Sequence, residues 1–200
     1  MKPHSHHAKT FSRTVFLVVF SLGISVFSEN KALARSHKGR LMESAKRLID
    51  EATVKAPVAD EVCFAPDGPC DLKLVKFIQS ATTSLDVAIF DINLDQVVHE
   101  IIVASKKMPV RMVVDRREAK SPHSLVPLLV KAGVKLKFGH QKGIMHNKFV
   151  VVDGKMIELG SFNYTNGAAF KNNENQLYVG NPVIVSKYKA RFETLWEMGD

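Results

Sequence analysis

The stretch His146-Asn147-Lys148-Phe149-Val150-Val151-Val152-Asp153-Gly154-Lys155-Met156-Ile157-Glu158-Leu159-Gly160-Ser161-Phe162-Asn163 decides both the fold and the chemistry of this chain. Lys148 to Val152 and Lys155 to Gly160 read as two strands joined at Asp153-Gly154. An Asp-Gly pair between apolar runs supplies the positive-φ residues that a tight hairpin needs. Residues two apart on an extended chain share a face. His146 and Lys148 therefore point one way, and Ser161 and Asn163 can converge on the same spot from the second strand. That set suits a phosphate, with a nucleophile or acid in His146, a cation in Lys148 and neutral donors in Ser161 and Asn163. No metal-ligand cluster stands beside it in the sequence.

Working outward, the chain alternates strands and helices. Val62–Ala65 reads as a strand, Asp71–Ala81 as a helix with Leu74, Phe77, Ile78 and Ala81 on one face, and Leu85–Ile92 as a buried strand. A helix over Leu94–Ser105, a strand over Val110–Val114, a helix over His123–Ala132 and a short strand over Lys135–Phe138 follow. After the hairpin come a strand at Gln176–Val179 and a terminal helix, Pro182–Glu197, with Val185, Tyr188, Phe192 and Trp196 as its core face. Alternation plus a hairpin implies the α/β class, a mixed β-sheet flanked by helices in an α/β/α sandwich. At 200 residues with 46% hydrophobic content, one globular domain can bury a substantial core.

The N-terminal 34 residues read as a secretory signal peptide. A basic, His-rich segment precedes the 13-residue apolar run Val15 to Phe27, and Ala32-Leu33-Ala34 supplies a small-x-small cleavage pattern. Spanning a bilayer takes roughly 20 apolar residues, so an uncleaved anchor is the alternative. Residues 35–61 then form an N-terminal helix, with Leu41, Ala45, Leu48 and Ile49 at helical spacing, and a linker containing Pro57. The domain proper is 62–200. The formal charge is +8; residues 1–34 carry four cations against Glu29, leaving +5 on the remainder. That balance favours a polyanionic partner without requiring one. Cys63 and Cys70, the only cysteines, bracket a loop containing Pro-Asp-Gly-Pro, and in an oxidising compartment they pair as a structural disulfide.

The pattern His146-x-Lys148, four residues, Asp153, then Gly160-Ser161-Phe162-Asn163 and Asn172-Asn173-Glu174-Asn175, resembles the phospholipase D superfamily with its HKD motif. It is most similar to the bacterial single-motif endonucleases of the Nuc type, over roughly Val62 to Trp196. The resemblance implies a phospholipase D/nuclease-like fold with one HKD motif per chain. It also implies no cofactor and a catalytic set of His146, Lys148, Asp153, Ser161, Asn163 and Glu174. Asp153 opens the hairpin turn, and from the residues alone it reads better as structural.

The chemistry can also be argued directly. Cleaving a phosphodiester without a metal requires a nucleophile, neutralisation of the non-bridging oxygens and a proton for the leaving alkoxide. Nucleophile and acid sit on opposite sides of an in-line phosphorus, so one histidine does not easily serve as both. The decoy His140-Gln141-Lys142 lacks an aspartate, since Asn147 stands where it belongs. The second imidazole is therefore expected from another copy, in the homodimer with a shared active site that the resemblance implies. His146 of one protomer attacks and His146 of the other protonates the leaving oxygen. Lys148, Ser161 and Asn163 bind the phosphate, and Glu174 orients the imidazole. Arg116 and Lys142 are additional candidate phosphate contacts. His99 reads as a surface or packed histidine, Arg117 with Arg116 as either a phosphate contact or a solvated charge pair, and Phe90 and Asp91 as core and cap at a strand end.

The expected function is that of an exported, metal-independent endonuclease of low sequence specificity. It would cleave DNA, with RNA as the variant, through a phosphohistidine, in the periplasm or outside the cell. A phospholipase D-type lipid phosphodiesterase is the alternative, favoured if the N-terminal segment holds the chain on a membrane facing the periplasm. A non-catalytic nucleic-acid-binding or uptake protein is the alternative of another class, and the intact His146, Lys148 and Asn163 set argues against it.

Overall fold

The computed structural model describes residue 36 and residues 38–56, 59–139 and 143–200. The signal-peptide reading of 1–34 and the expectations for His140 and Lys142 lie outside the described residues. The described residues fall into two units, divided between residues 49 and 50. In the first, described residues from 38 onward are helical, and this helix, α1, runs to residue 53. The expected apolar positions Leu41, Leu48 and Ile49 are present on it and exposed.

The second unit is built on a seven-stranded sheet in the order β1-β7-β6-β5-β2-β3-β4. The strands are β1 (Glu61–Ala65), β2 (Leu85–Ile89), β3 (Val110–Val114), β4 (Lys135–Phe138), β5 (Lys148–Val152), β6 (Met156–Gly160) and β7 (Glu174–Val179). The trio β2, β3 and β4 is parallel, linked through α3 (Asp95–Ser105) and α4 (Val126–Lys131), and β5 joins β2 antiparallel. From β5 to β1 every pairing is antiparallel, so the sheet is mixed, as expected. β5 reads Lys-Phe-Val-Val-Val and is buried throughout, because both of its faces are covered. On one face Val150 and Val152 join Leu74, Phe77 and Ile78 of α2 (Cys70–Gln79) and the core of α3. On the other, Phe149 and Val151 meet Val185, Phe192 and Leu195 of α6 (Pro182–Met198). The hairpin turn takes φ of +55° at Asp153 and +64° at Gly154. Cys63 and Cys70 are disulfide-bonded, with Cα atoms 5.6 Å apart, and tie the middle of β1 to the first turn of α2.

Three departures from the sequence reading matter for the site. The strand expected to reach Ile92 leaves the sheet after Ile89, and Ile92 instead bridges Tyr164. The helix expected from His123 starts at Val126, because Pro127 at its first turn marks the helix entry. That leaves His123 in a loop. Two short elements had no clear periodicity: the 3-10 turn Glu118–Lys120 and α5 (Asn166–Phe170), which Thr165 caps by accepting from the Ala168 amide. Five residues are too few for a helical repeat to be read.

Candidate active site

The carboxyl ends of β2 and β3, the start of β5, the end of β6 and the start of β7 lie at one end of the sheet, where open α/β sheets bind ligands. His146 and Lys148 enter this end from β5. Met145 is buried, and its amide donates to Asp115 Oδ2 at 2.8 Å, which fixes the backbone one residue before His146. His146 itself is exposed, whereas Lys148 is 9% exposed. The Lys148 ammonium donates to the His146 carbonyl at 3.1 Å. Both side chains meet Phe90: the His146 ring lies 4.6 Å from it at 68°, and Lys148 Nζ stands 4.8 Å from its centroid. Burial holds the Lys148 ammonium below its usual pKa, while the Glu174 and Asp91 carboxylates work in the opposite direction. Burial raises the Asp91 carboxyl, opposed by the Ile92 amide and by the charges of His123 and Lys148.

The second strand supplies the other half. Gly160 follows Leu159, the partner of Phe149, so it lies beside Lys148 in the ladder. A Cβ at Gly160 would fall 2.1 Å from the Asn175 carbonyl, so only glycine lets β7 approach this closely. Ser161 then bonds across to β7. Its hydroxyl donates to Glu174 Oε2 and accepts from the Asn175 amide at 3.1 Å. The other Glu174 oxygen accepts from Asn172 Nδ2 at 3.1 Å. Asn163 is half-buried, and its Oδ1 is fully enclosed without a hydrogen-bond partner. Rotating the carboxamide exchanges its two ends, so an N–H donor can occupy the same place. The next residue, Tyr164, donates its amide to the Asp91 carbonyl at 3.2 Å, which brings the loop after Asn163 against the loop after Phe90.

The structure thus brings His146, Lys148, Ser161, Asn163 and Glu174 to one end of the sheet and corrects three expectations. Asp153 is not among them. It lies at the other end of β5, roughly 20 Å away at about 3.3 Å per residue, with its carboxylate bonded to Thr82, Thr83 and Ser84. The Glu174 oxygens accept from Ser161 and Asn172, and neither bonds the His146 imidazole within the chain. Arg116 is turned to Asp200, with which it forms an ion pair, and its guanidinium lies over Phe138 at 5.3 Å; its charge is already answered there. Lys142 lies outside the described residues.

Two groups escaped the sequence reading. Phe90 is neither core nor cap but half-exposed between His146 and Lys148. Asp115 is 3% exposed and accepts from the amides of Arg117, Glu118 and Met145. Its signal was a lone carboxylate directly after an apolar strand, at the end where such sheets bind ligands. Among the described residues no group of three or more His, Cys, Asp or Glu side chains is placed to hold a metal ion.

Fold and site together define an α/β domain with one His-Lys and Ser-Asn constellation at the carboxyl ends of its parallel strands. The family "Cardiolipin synthase, PLD-like domain" matches residues 74–196. Mitochondrial cardiolipin hydrolase of Homo sapiens is 31% identical over 157 residues, 74% of this chain and 62% of that protein. Phospholipase D of Rickettsia prowazekii is 28% identical over 127 residues, 63% of this chain and 62% of that protein. The chain thus spans about three fifths of the length of these curated relatives. Nuc, a phospholipase D family member from Salmonella typhimurium, superposes with a TM-score of 0.67 at 25% identity, covering 71% of this chain and 96% of that one. NucT from Helicobacter pylori shares the fold with a TM-score of 0.66 at 24% identity, over 70% of this chain and 96% of that one. The chain belongs to the phospholipase D superfamily.

Proposed function

We propose that this chain is an exported phosphodiesterase that cleaves nucleic acid without a metal, as a homodimer with a shared active site. The observation that carries the reading is the convergence of His146 and Lys148 on Phe90, beside the enclosed and unpartnered Oδ1 of Asn163. A His146 imidazole nitrogen attacks phosphorus, the P–N bond forms and the P–O bond to the leaving alkoxide breaks. His146 of the second protomer supplies that alkoxide's proton. Water then attacks the phosphohistidine, returns the imidazole and leaves a phosphate monoester. Lys148 neutralises a non-bridging oxygen, with Asn163 as a neutral donor and Ser161 as a second one once its hydroxyl proton turns from Glu174 to the phosphate. Glu174 holds Ser161 in place, and Asp153 holds the far end of the strand.

Nucleic acid is favoured by the likeness to Nuc, which this chain covers almost end to end, and by the basic balance of the chain. That likeness leaves little inserted chain from which to build a lid over a narrow cleft. A lipid phosphodiesterase is the second reading, favoured by the relatives that are cardiolipin hydrolases. The signal-peptide reading of residues 1–34 supports the periplasm or the outside of the cell as its site of action, or a membrane facing the periplasm if that segment is retained. Purified protein incubated in excess EDTA with plasmid DNA, with RNA and with labelled cardiolipin vesicles tests these points. Nucleic acid should be cut and the lipid spared. Lipid hydrolysis alone would establish the second reading, and dependence on added divalent metal would overturn the mechanism.

A further inference from the structure

We propose that Phe90 is a positioning residue of this site: its ring seats the His146 imidazole and the Lys148 ammonium together, setting the angle of one and sustaining the charge of the other. The proposal rests on the phosphodiesterase reading of His146 and Lys148 and goes beyond it.

Phe90 occupies its place because the backbone around it is fixed. It follows Ile89, the ladder partner of Lys148, so it leaves the sheet beside the start of β5. The residues after it are bound to the loop that carries Asn163. The Asp91 carbonyl accepts the Tyr164 amide, the amides of Asn93 and Leu94 donate to the Tyr164 carbonyl at 2.9 and 3.0 Å, and Asn93 Oδ1 accepts from the Asn166 amide at 2.9 Å. The ring is therefore held against both halves of the motif at once. It is half-exposed and belongs to neither apolar core, so packing alone does not account for it.

The ring makes two contacts of different kinds. The imidazole meets it edge to face, an arrangement that fixes direction as well as distance. The ammonium stands 4.8 Å from its centroid, where the negative face of the ring favours the cation. Lys148 is almost enclosed, and enclosure works against its charge. The groups facing it are the His146 carbonyl and the carboxylates of Asp91 and Glu174, with His123 acting on Asp91 from the loop before α4. Phe90 adds an attraction for the protonated form that no other apolar side chain of similar size provides. A leucine would fill the space and remove both effects.

The test uses the full-length protein and a small chromogenic phosphodiester, so that the choice between nucleic acid and lipid does not enter. Phe90→Leu should lower kcat about tenfold with KM nearly unchanged, because misalignment is felt in the transition state. The alkaline limb of its pH profile should move down by about half a pH unit, since Lys148 loses support for its charged form. Phe90→Tyr, which keeps the ring face, should restore both. In the NMR spectrum of the wild-type protein the His146 ring protons should carry a ring-current shift, retained in Phe90→Tyr and lost in Phe90→Leu. Absence of that shift in the wild-type protein overturns the proposal whatever any variant does. So does a Phe90→Leu variant with wild-type kcat, one whose alkaline limb is unmoved, or a Phe90→Tyr variant that restores neither. If His146→Ala retained activity, the catalytic reading would fail instead, while the ring-current measurement would still report on the seating of the imidazole.

Discussion

The two ends of β5 are built in opposite ways. At the end that opens the hairpin, Asp153 accepts from five donors, the amides and hydroxyls of Thr82 and Thr83 and the amide of Ser84, at 2.7 to 3.1 Å, with the Thr82 amide shared between both oxygens so that the contacts number six. Its own amide donates to the Ser84 carbonyl at 3.0 Å. Those bonds hold its carboxyl far below the usual range, against the opposing effect of burial. At the other end His146 is exposed, Lys148 is enclosed at a cost to its charge, and Asn163 keeps an acceptor unsatisfied. One end has its polar groups satisfied within the chain, and the other keeps Asn163 Oδ1 unsatisfied among the described residues. Unsatisfied polar groups and strained ionisation collect where a ligand is to be bound, and satisfied ones where the fold must be held.

The largest expected difference between the ends is kinetic. His146→Ala should reduce phosphodiester cleavage by at least about 10^3-fold, the scale for deleting a nucleophile. It should leave the melting temperature close to wild type, because an exposed ring contributes little burial. Near-normal turnover would remove this end of β5 from the chemistry.

Asp153→Ala should do the reverse. It removes the acceptor for those five donors and places alanine at φ +55°, so a loss of about 2–4 kcal/mol in urea unfolding is expected. Turnover per folded molecule should stay within a few-fold. The stability that Asp153 confers is present above the unfolded carboxyl pKa of about 3.9 and is lost only as the pH falls toward the lower folded value. Asp153→Asn keeps an acceptor and tolerates the turn, so its loss should be smaller. A well-folded Asp153→Asn protein as inactive as His146→Ala would bring Asp153 back into the reaction.

Between the ends lies Glu158 of β6, wholly buried, with Tyr164 Oη donating to its Oε2 at 2.7 Å and its Oε1 unpartnered. Burial pushes its carboxyl up to about 8, against the lowering effect of the Tyr164 hydroxyl. From about pH 4.5 to 8 the unfolded chain has released this proton and the folded chain keeps it, so stability falls as the pH rises through that window. Glu158→Gln retains an acceptor for Tyr164 and removes the titration. The wild-type protein should therefore lose up to about 4 kcal/mol more than the variant between pH 5 and pH 8, at about 1.4 kcal/mol per unit. Parallel pH profiles for the two proteins would show that Glu158 titrates normally.

The same contrast explains what could be read from the chain. The hairpin was legible because Asp153-Gly154 and its flanking apolar runs are a local signal, and the strand and helix order followed from periodicity. The nearness of the His146–Lys148 and Ser161–Asn163 segments was legible because the hairpin sets the start of β5 beside the end of β6. The partners of Asp153 and Glu174 were not, since Thr82 to Ser84 lie some seventy residues from Asp153 in sequence and meet it only through the β2–β5 pairing. Phe90 was misplaced because an apolar run looks the same whether its last member turns into the core or out toward a site. Asp115 reaches Met145 across thirty residues, beyond any periodic signal.

The smallest effect is also the one that decides whether the His146 end is completed by a second chain. On the proposed mechanism, one imidazole per motif and two chemical roles make the homodimer the smallest competent unit. Mixing equal amounts of wild-type and His146→Ala protein, with free exchange of subunits, leaves about one quarter of the dimers with both histidines by binomial pairing of an isologous dimer. Activity per total protein should then fall to about one quarter of the wild-type value, whereas independent subunits would give one half. The distinction is only twofold, so the mixing ratio should be varied: shared sites give activity that follows the square of the wild-type fraction, and independent sites give a straight line. Sedimentation at the assay concentration supplies the second arm. A monomer with full activity, together with a linear mixing curve, would mean that the proton donor belongs to the same chain as the nucleophile, and the contrast between a finished and an unfinished end of β5 would no longer hold.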